Sequence, residues 1–258
     1  MKSIKYLLYL LYLLLFILLA IPADAGWYYG GCNEYSCTGN GAHLWECDST
    51  TVNDPVFCHI GCSDADISAS AAGSDESIAD GVCSFDDASS DSGDYYTFDA
   101  PSATIDDAGT VFIKFRVNAW VDEARFFIIW GESDWLMIEL NTTDAGVADR
   151  NLSGFYRANS VTDTVNLIGD NVDTGVWFIV RHYWNNDEAG NDHRITLYSA
   201  SGVEIEDVNE DDDLEEFVAG DPGADDLQIG NAAAVNDSDI DVDYVHLYEG
   251  WQEIDPNG

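Results

Sequence analysis

The chain has 258 residues, in which 9 Lys and Arg stand against 49 Asp and Glu, for a formal net charge of −40 at pH 7. A surface this acidic repels nucleic acid and anionic lipid, which weighs against both as partners. Disorder is disfavoured too, because 8 Trp, 13 Tyr and 11 Phe fall in patterned runs that can bury a core.

Lys2 and Lys5 precede an unbroken apolar run from Tyr6 to Ile21, followed by Ala23-Asp24-Ala25. This predicts a secretory signal peptide over residues 1–25, cleaved before Gly26. As a helix, the run would reach roughly 24 Å, short of the roughly 30 Å hydrocarbon core, so a permanent anchor is the weaker reading. The expectation is a secreted or cell-surface protein with no membrane attachment after cleavage. Lys114 is the one lysine beyond the leader, and acidic residues are spread along the whole chain. Repulsion on that scale calls for concentrated counterions, so the composition reads as salt-adapted, that is, halophilic.

All six cysteines, Cys32, Cys37, Cys47, Cys58, Cys62 and Cys83, lie in the stretch 26–83. An even, clustered set in an exported chain reads as three disulfides holding a small region with little core of its own, and the pairing stays open. A zinc site using some of them with His43 and His59 is the alternative, but no paired Cys-x-x-Cys pattern supports it.

From Ser84 onward, short runs rich in β-branched and aromatic residues alternate with Gly, Asn and Asp turns. Strands are predicted over 95–98, 110–120, 125–130, 135–141, 152–158, 177–184, 194–199, 203–208, 226–229 and 241–248. In Val111, Ile113, Phe115 and Val117 one face is apolar, while Lys114 and Arg116 take the other. Ten such strands with no convincing helix predict an all-β fold, a two-sheet antiparallel β-sandwich of jelly-roll type over 84–251, with 252–258 as a tail.

The order of motifs resembles the concanavalin A-like lectin/glucanase superfamily, in its laminin G-like branch. The residues that carry the resemblance are Cys83-Ser-Phe-Asp-Asp with Asp94-Tyr-Tyr-Thr-Phe, Thr110-Val-Phe-Ile-Lys-Phe-Arg-Val, Gly175-Val-Trp-Phe-Ile-Val-Arg-His-Tyr-Trp, Leu227-Gln-Ile-Gly-Asn and the closing Ile240-Asp-Val-Asp-Tyr-Val-His-Leu-Tyr. The resemblance implies a structural calcium that joins the start of the domain to the last strand, with Asp243 as a ligand and Asp86 as its partner; Asp87 is a weaker candidate. It also raises the enzyme question. Retaining glucanases carry two carboxylates about 5–5.5 Å apart, in that family on one strand as Glu-x-Asp-x-(x)-Glu. Glu204-Ile-Glu206 and Glu132-Ser-Asp134 lack the correct third acid, so no catalytic residue is expected. Arg181, His182 and Tyr183 supply the residue types of a lyase, but neighbours on a strand face opposite sides.

A sugar site needs an aromatic face against a pyranose. Trp120, Trp130, Trp135, Tyr156 and Trp184 sit near strand ends or turns, and Trp135, Tyr156 and Trp184 are the first choices for a platform; Trp177 is assigned to the core. Asn141, Asn151 and Asn236 lie in glycosylation sequons. The composite expectation is a non-catalytic, calcium-stabilised carbohydrate-binding or adhesion protein, whose partners are polysaccharide, glycoprotein glycans or a cell-surface protein. A structural matrix protein, or a hydrolase or lyase of the same superfamily, is the alternative.

Overall fold

A computed structural model describes residues 42–47, 57–61, 70–72, 76–79, 82–85, 95–98, 108–120, 124–130, 135–142, 150–158, 161–167, 169, 171–185, 193–210, 214, 227–230 and 239–251. Of the two compact units into which the chain divides, Met1–Asn33 and Glu34–Gly258, the second holds all of these residues. The signal peptide over 1–25, Cys32, Cys37, Cys62, Asp86, Asp87, Glu132, Asp134, Asn236 and the tail 252–258 lie outside the described residues.

In chain order the strands are β1 Ala42–Cys47, β2 Phe57–Gly61, β3 Ser70–Ala72, β4 Glu76–Ala79, β5 Val82–Phe85, β6 Tyr95–Phe98, β7 Ala108–Ala119 and β8 Arg125–Trp130. They continue as β9 Trp135–Thr142, β10 Arg150–Ala158, β11 Val161–Asn166, β12 Trp177–Asn185, β13 His193–Ser199, β14 Glu204–Glu210, β15 Leu227–Gly230 and β16 Asp239–Glu249. They form two antiparallel sheets. The larger has nine strands in the order β14-β13-β12-β7-β16-β1-β2, with β5 also on β16 and β4 on β5; the smaller has seven, β11-β10-β9-β8-β15-β6-β3. The expected antiparallel sandwich is therefore the fold of the described residues.

Period-two alternation on β7 produces the layering. Val111, Ile113, Phe115 and Val117 are fully buried between the sheets. They meet Phe126, Phe127, Ile129, Leu136, Ile138 and Leu140 of the smaller sheet in one core cluster. Phe115 stacks on Phe126 with centroids 5.0 Å apart. Each such side chain contributes about 1.5–3 kcal/mol by leaving water.

The cysteine-bearing stretch enters the same sheets. β1 pairs with β16 from Ala42 opposite Tyr248 to Glu46 opposite Tyr244, β5 pairs with the start of β16, and β3 pairs with β6. Cys83 is fully buried and disulfide-bonded. The change of composition at Ser84 thus does not coincide with a break in hydrogen bonding. Two register shifts interrupt the pairing of β7 with β16, one at Asp239/Ile240 that leaves Asn118 of β7 as the extra residue and one at Val242/Tyr244 that leaves Asp243 of β16 as the extra residue. With them, Ile240, Val242, Val245 and Leu247 all stay in the core, and Asp241, Tyr244, His246 and Tyr248 face outward.

Candidate functional site

The outer face of the larger sheet collects chemistry that its inner face cannot. Antiparallel register sets outward residues in rows across the strands. One row runs Trp177, Arg116 and Asp241, and the next runs Tyr198, Ile179, Lys114 and Tyr244. A third runs Asp207, Thr196, Arg181, Phe112 and His246, and a fourth Asn209, Arg194, Tyr183, Thr110 and Tyr248. Four of the nine basic residues of the chain, Lys114, Arg116, Arg181 and Arg194, therefore share this one face.

Each of the four has a carboxylate beside it. Lys114 pairs with Asp243, and Arg116 grips Asp241 through Nε at 2.9 Å and through its terminal nitrogen. Arg194 makes a two-pronged pair with Asp207, both contacts at 2.7 Å. Arg181, almost fully buried, donates to Thr196 Oγ1 at 2.9 Å and lies 3.8 Å from Asp207. Burial alone would raise the pKa of Asp207, but hydrogen bonds from Arg194 and Thr196 hold it below its ordinary 3.8. Burial also acts to raise Asp241, and hydrogen bonds from Ser84, Asn118 and Arg116 outweigh it. The Arg194 guanidinium is raised in return, chiefly by its bond to Asp207.

Aromatic rings cap these pairs. Arg116 lies 4.9 Å and Lys114 5.7 Å from the ring centre of Trp177. Arg181 and Arg194 lie 4.3 Å and 5.0 Å from that of Trp251, which meets Tyr183 edge-on at 4.8 Å. Trp251 reaches this position because Gly250, with φ at 68°, turns the chain back after β16. Hydrogen bonds from Gly250 N–H to the Ala108 carbonyl at 2.9 Å and from Thr110 Oγ1 to the Gly250 carbonyl at 2.5 Å fix the turn. Trp251 remains 37% exposed, and Trp177 is half-buried. Between the two capped clusters lies an apolar seam of Phe112, Ile179 and Tyr198, flanked by Tyr244 and Tyr248.

The residues predicted from sequence fall elsewhere. Trp184 and Tyr156 are in the core, at 0% and 1% exposure, so neither offers a face to a sugar. Both are inward positions of their strands, and proximity to a strand end does not change which side a residue faces. Trp135 lies on the outside of the other sheet, against Phe155 at 6.0 Å and under Arg157. The three do not converge. Trp177, assigned to the core, is outward instead, since its inward neighbour Phe178 takes the core position. Arg181 and Tyr183 face outward and His182 inward, as alternation requires. Asn151 is 1% exposed and, folded, is closed to a glycan; its cross-strand neighbour is Asn141. Glu206 accepts from Gly169 N at 3.1 Å and Asn171 Nδ2 at 2.6 Å, and so serves as a strut.

The expected calcium site joins Asp243 to Asp86, and only Asp243 lies among the described residues. Its carboxylate is engaged by Lys114, and among the described residues no group of three or more His, Cys, Asp or Glu is placed to hold a metal. A carboxylate already neutralised by an ammonium is a poor ligand for a hard cation.

No family model matches the sequence, and no curated protein matches it. Among solved structures, the binding domain of botulinum neurotoxin serotype D matches at a TM-score of 0.57 and 11% identity, over 83% of this chain; this chain spans 48% of that one. Domain 4 of AbnA, an extracellular arabinanase from Geobacillus stearothermophilus in complex with arabinotriose, matches at a TM-score of 0.45 and 15% identity, over 71% of this chain and 79% of that one. The lumenal domain of VIP36 with calcium and Man3GlcNAc matches at 0.47 and 8%, over 75% of this chain and 86% of that one. What this chain shares with the toxin domain at 11% identity is the fold, a two-sheet antiparallel β-sandwich.

Proposed function

We propose that this protein is an exported, non-catalytic carbohydrate-binding module, laminin G-like in its order of sequence motifs, that takes its ligand on the outer face of the nine-stranded sheet. The single observation that carries the reading is the row of capped ion pairs there: two tryptophans, Trp177 and Trp251, each placed over cationic groups that are themselves paired with carboxylates. An indole gives a pyranose ring a flat apolar partner, and oriented carboxylates and guanidinium groups serve its hydroxyls without further ordering cost. The seam of Phe112, Ile179 and Tyr198 lies between the two ring clusters.

A glycan array probed in molar salt, with the natural protein and with Trp177→Ala and Trp251→Ala, tests the proposal. Binding that falls about tenfold or more in both variants, at unchanged melting temperature, supports it. Silence of the natural protein across neutral and acidic glycans overturns it and leaves a protein partner as the reading. Calcium enters only as a competitor of Lys114 for Asp243. Calorimetric titration of metal-stripped protein should show tighter uptake in Lys114→Ala than in the natural chain, and no uptake by either removes calcium.

A further inference from the structure

Two histidines are buried between the sheets, away from the outer face. His182 on β12 and His193 on β13 both have 0% exposure, and their Nε2 atoms are 2.7 Å apart. His193 Nδ1 is hydrogen-bonded to Asp163, which belongs to β11 in the other sheet. The chain of contacts therefore ties the larger sheet to the edge strand of the smaller one. A second tie lies close by, where Glu206 of β14 holds Gly169 and Asn171 just after β11.

Protons can be counted in this array. A 2.7 Å contact between two ring nitrogens holds one proton, with one nitrogen donating and the other accepting. His182 Nδ1 has no hydrogen-bond partner, so the chain ends there. A second proton would set two N–H donors against each other with no lone pair between them, and the rings would have to part. Burial, and then the electrostatic interaction with His193, hold His182 well below its ordinary pKa of 6.5. The described residues that face His182 are uncharged: Val111 of β7, Trp184 of β12, and Gly154 and Val165 of β10 and β11. Among the described residues, the titratable groups facing the pair are Asp163 and Tyr156, with Glu210 opposite His193 at the exposed end of β14. The ring packs closely against β10, where a Cβ added at Gly154 would stand 2.9 Å from His182 Nε2.

We propose that His182, His193 and Asp163 form a proton-limited latch that keeps the β11 edge closed on the larger sheet, and that acid opens this edge before the rest of the sandwich. When the edge opens, His182 regains the solvent and takes up the proton that the closed form refuses. Below the ordinary histidine pKa, one proton bound on opening makes opening up to about tenfold more favourable per pH unit.

Amide hydrogen exchange, corrected for the intrinsic pH dependence of exchange, provides the test. Between pH 6.5 and pH 5.5, protection over Val161–Asn166 should fall about fivefold, while that of β7 and β16 changes much less. His182→Gln keeps an acceptor for the His193 N–H but takes up no second proton, so it should flatten the β11 response. The latch is overturned by a β11 edge whose protection follows the central strands at both pH values, or by a His182→Gln variant that keeps the natural slope. If that variant does not fold, the contrast between β11 and β16 in the natural protein still decides. His246, partly buried on the outer face, adds acid sensitivity to the whole fold equally in both proteins, which is why a local readout is required.

Discussion

Gly109 shows how little room the core leaves around its largest ring. A Cβ there would sit 2.1 Å from Cζ2 of Trp184, a side chain with no exposure. Gly109→Ala must displace that indole, and overpacking of this kind costs about 1–3 kcal/mol. Urea denaturation should show the loss as a lower midpoint at unchanged slope; an unaltered midpoint would mean that the ring has somewhere to go. His246 carries a titration on the opposite face. Burial lowers it from 6.5 to about 4, where it stacks on Tyr244 at 4.1 Å. Its folded value is depressed, so the unfolded chain binds the proton first as pH falls through 6.5. The neutral ring's contribution, up to about 3 kcal/mol, is present above pH 6.5 and lost on descent to about pH 4. His246→Gln should therefore show a shallower decline of stability over that window, read by denaturation at successive pH values.

The strands themselves were the most legible level. Tyr95–Phe98 and Arg125–Trp130 run as their alternation predicts, and β7, β9, β10, β12, β13 and β16 differ at their ends by one or two residues. β11 escaped because Val-Thr-Asp-Thr-Val-Asn is an edge strand with one buried position, Val165, so its period-two signal is nearly silent. β1 to β5 escaped because short strands amid Gly, Ser and Asp take their order from the partners β16 and β6. Facing was harder to read than extent. Trp177 and Phe178 are equally apolar, and only the register with Arg116 and Phe115 determines which one turns outward. The candidate face was invisible for the same reason: its rows join residues from 110 to 251 that no local pattern connects. Asp207 illustrates the element-level consequence. It ties β14 to β13 through Arg194 and Thr196, and its lowered pKa means that this support is present above the ordinary 3.8 and lost as pH falls through the folded value. Asp207→Asn should loosen β14, seen as faster amide exchange over Glu204–Glu210, with β7 unaffected.

At the scale of the whole molecule, the charge is divided unevenly. Among the described residues, the outer face sets Lys114, Arg116, Arg181 and Arg194 against Asp207, Asp239, Asp241 and Asp243, with Glu204 beside Arg194, and so is close to balanced within a chain of net charge −40. The two kinds of surface respond to salt in opposite senses. The unmatched acids repel over a Debye length of about 10 Å at 0.1 M, which shrinks to about 3 Å at 1 M, so salt relieves them. The matched pairs are weakened by the same screening, but their contacts are short and partly buried, which shields them from ions. Relief of long-range repulsion should therefore prevail, and the melting temperature should rise steadily from 0.1 M to above 1 M sodium chloride. Substituting surface acids by Gln should reduce that rise, whereas Arg194→Gln, which leaves Asp207 less matched, should lower stability most at low salt and make the rise slightly steeper. A melting temperature that falls with salt would mean that the ion pairs, rather than the acidic excess, govern the stability of the sandwich.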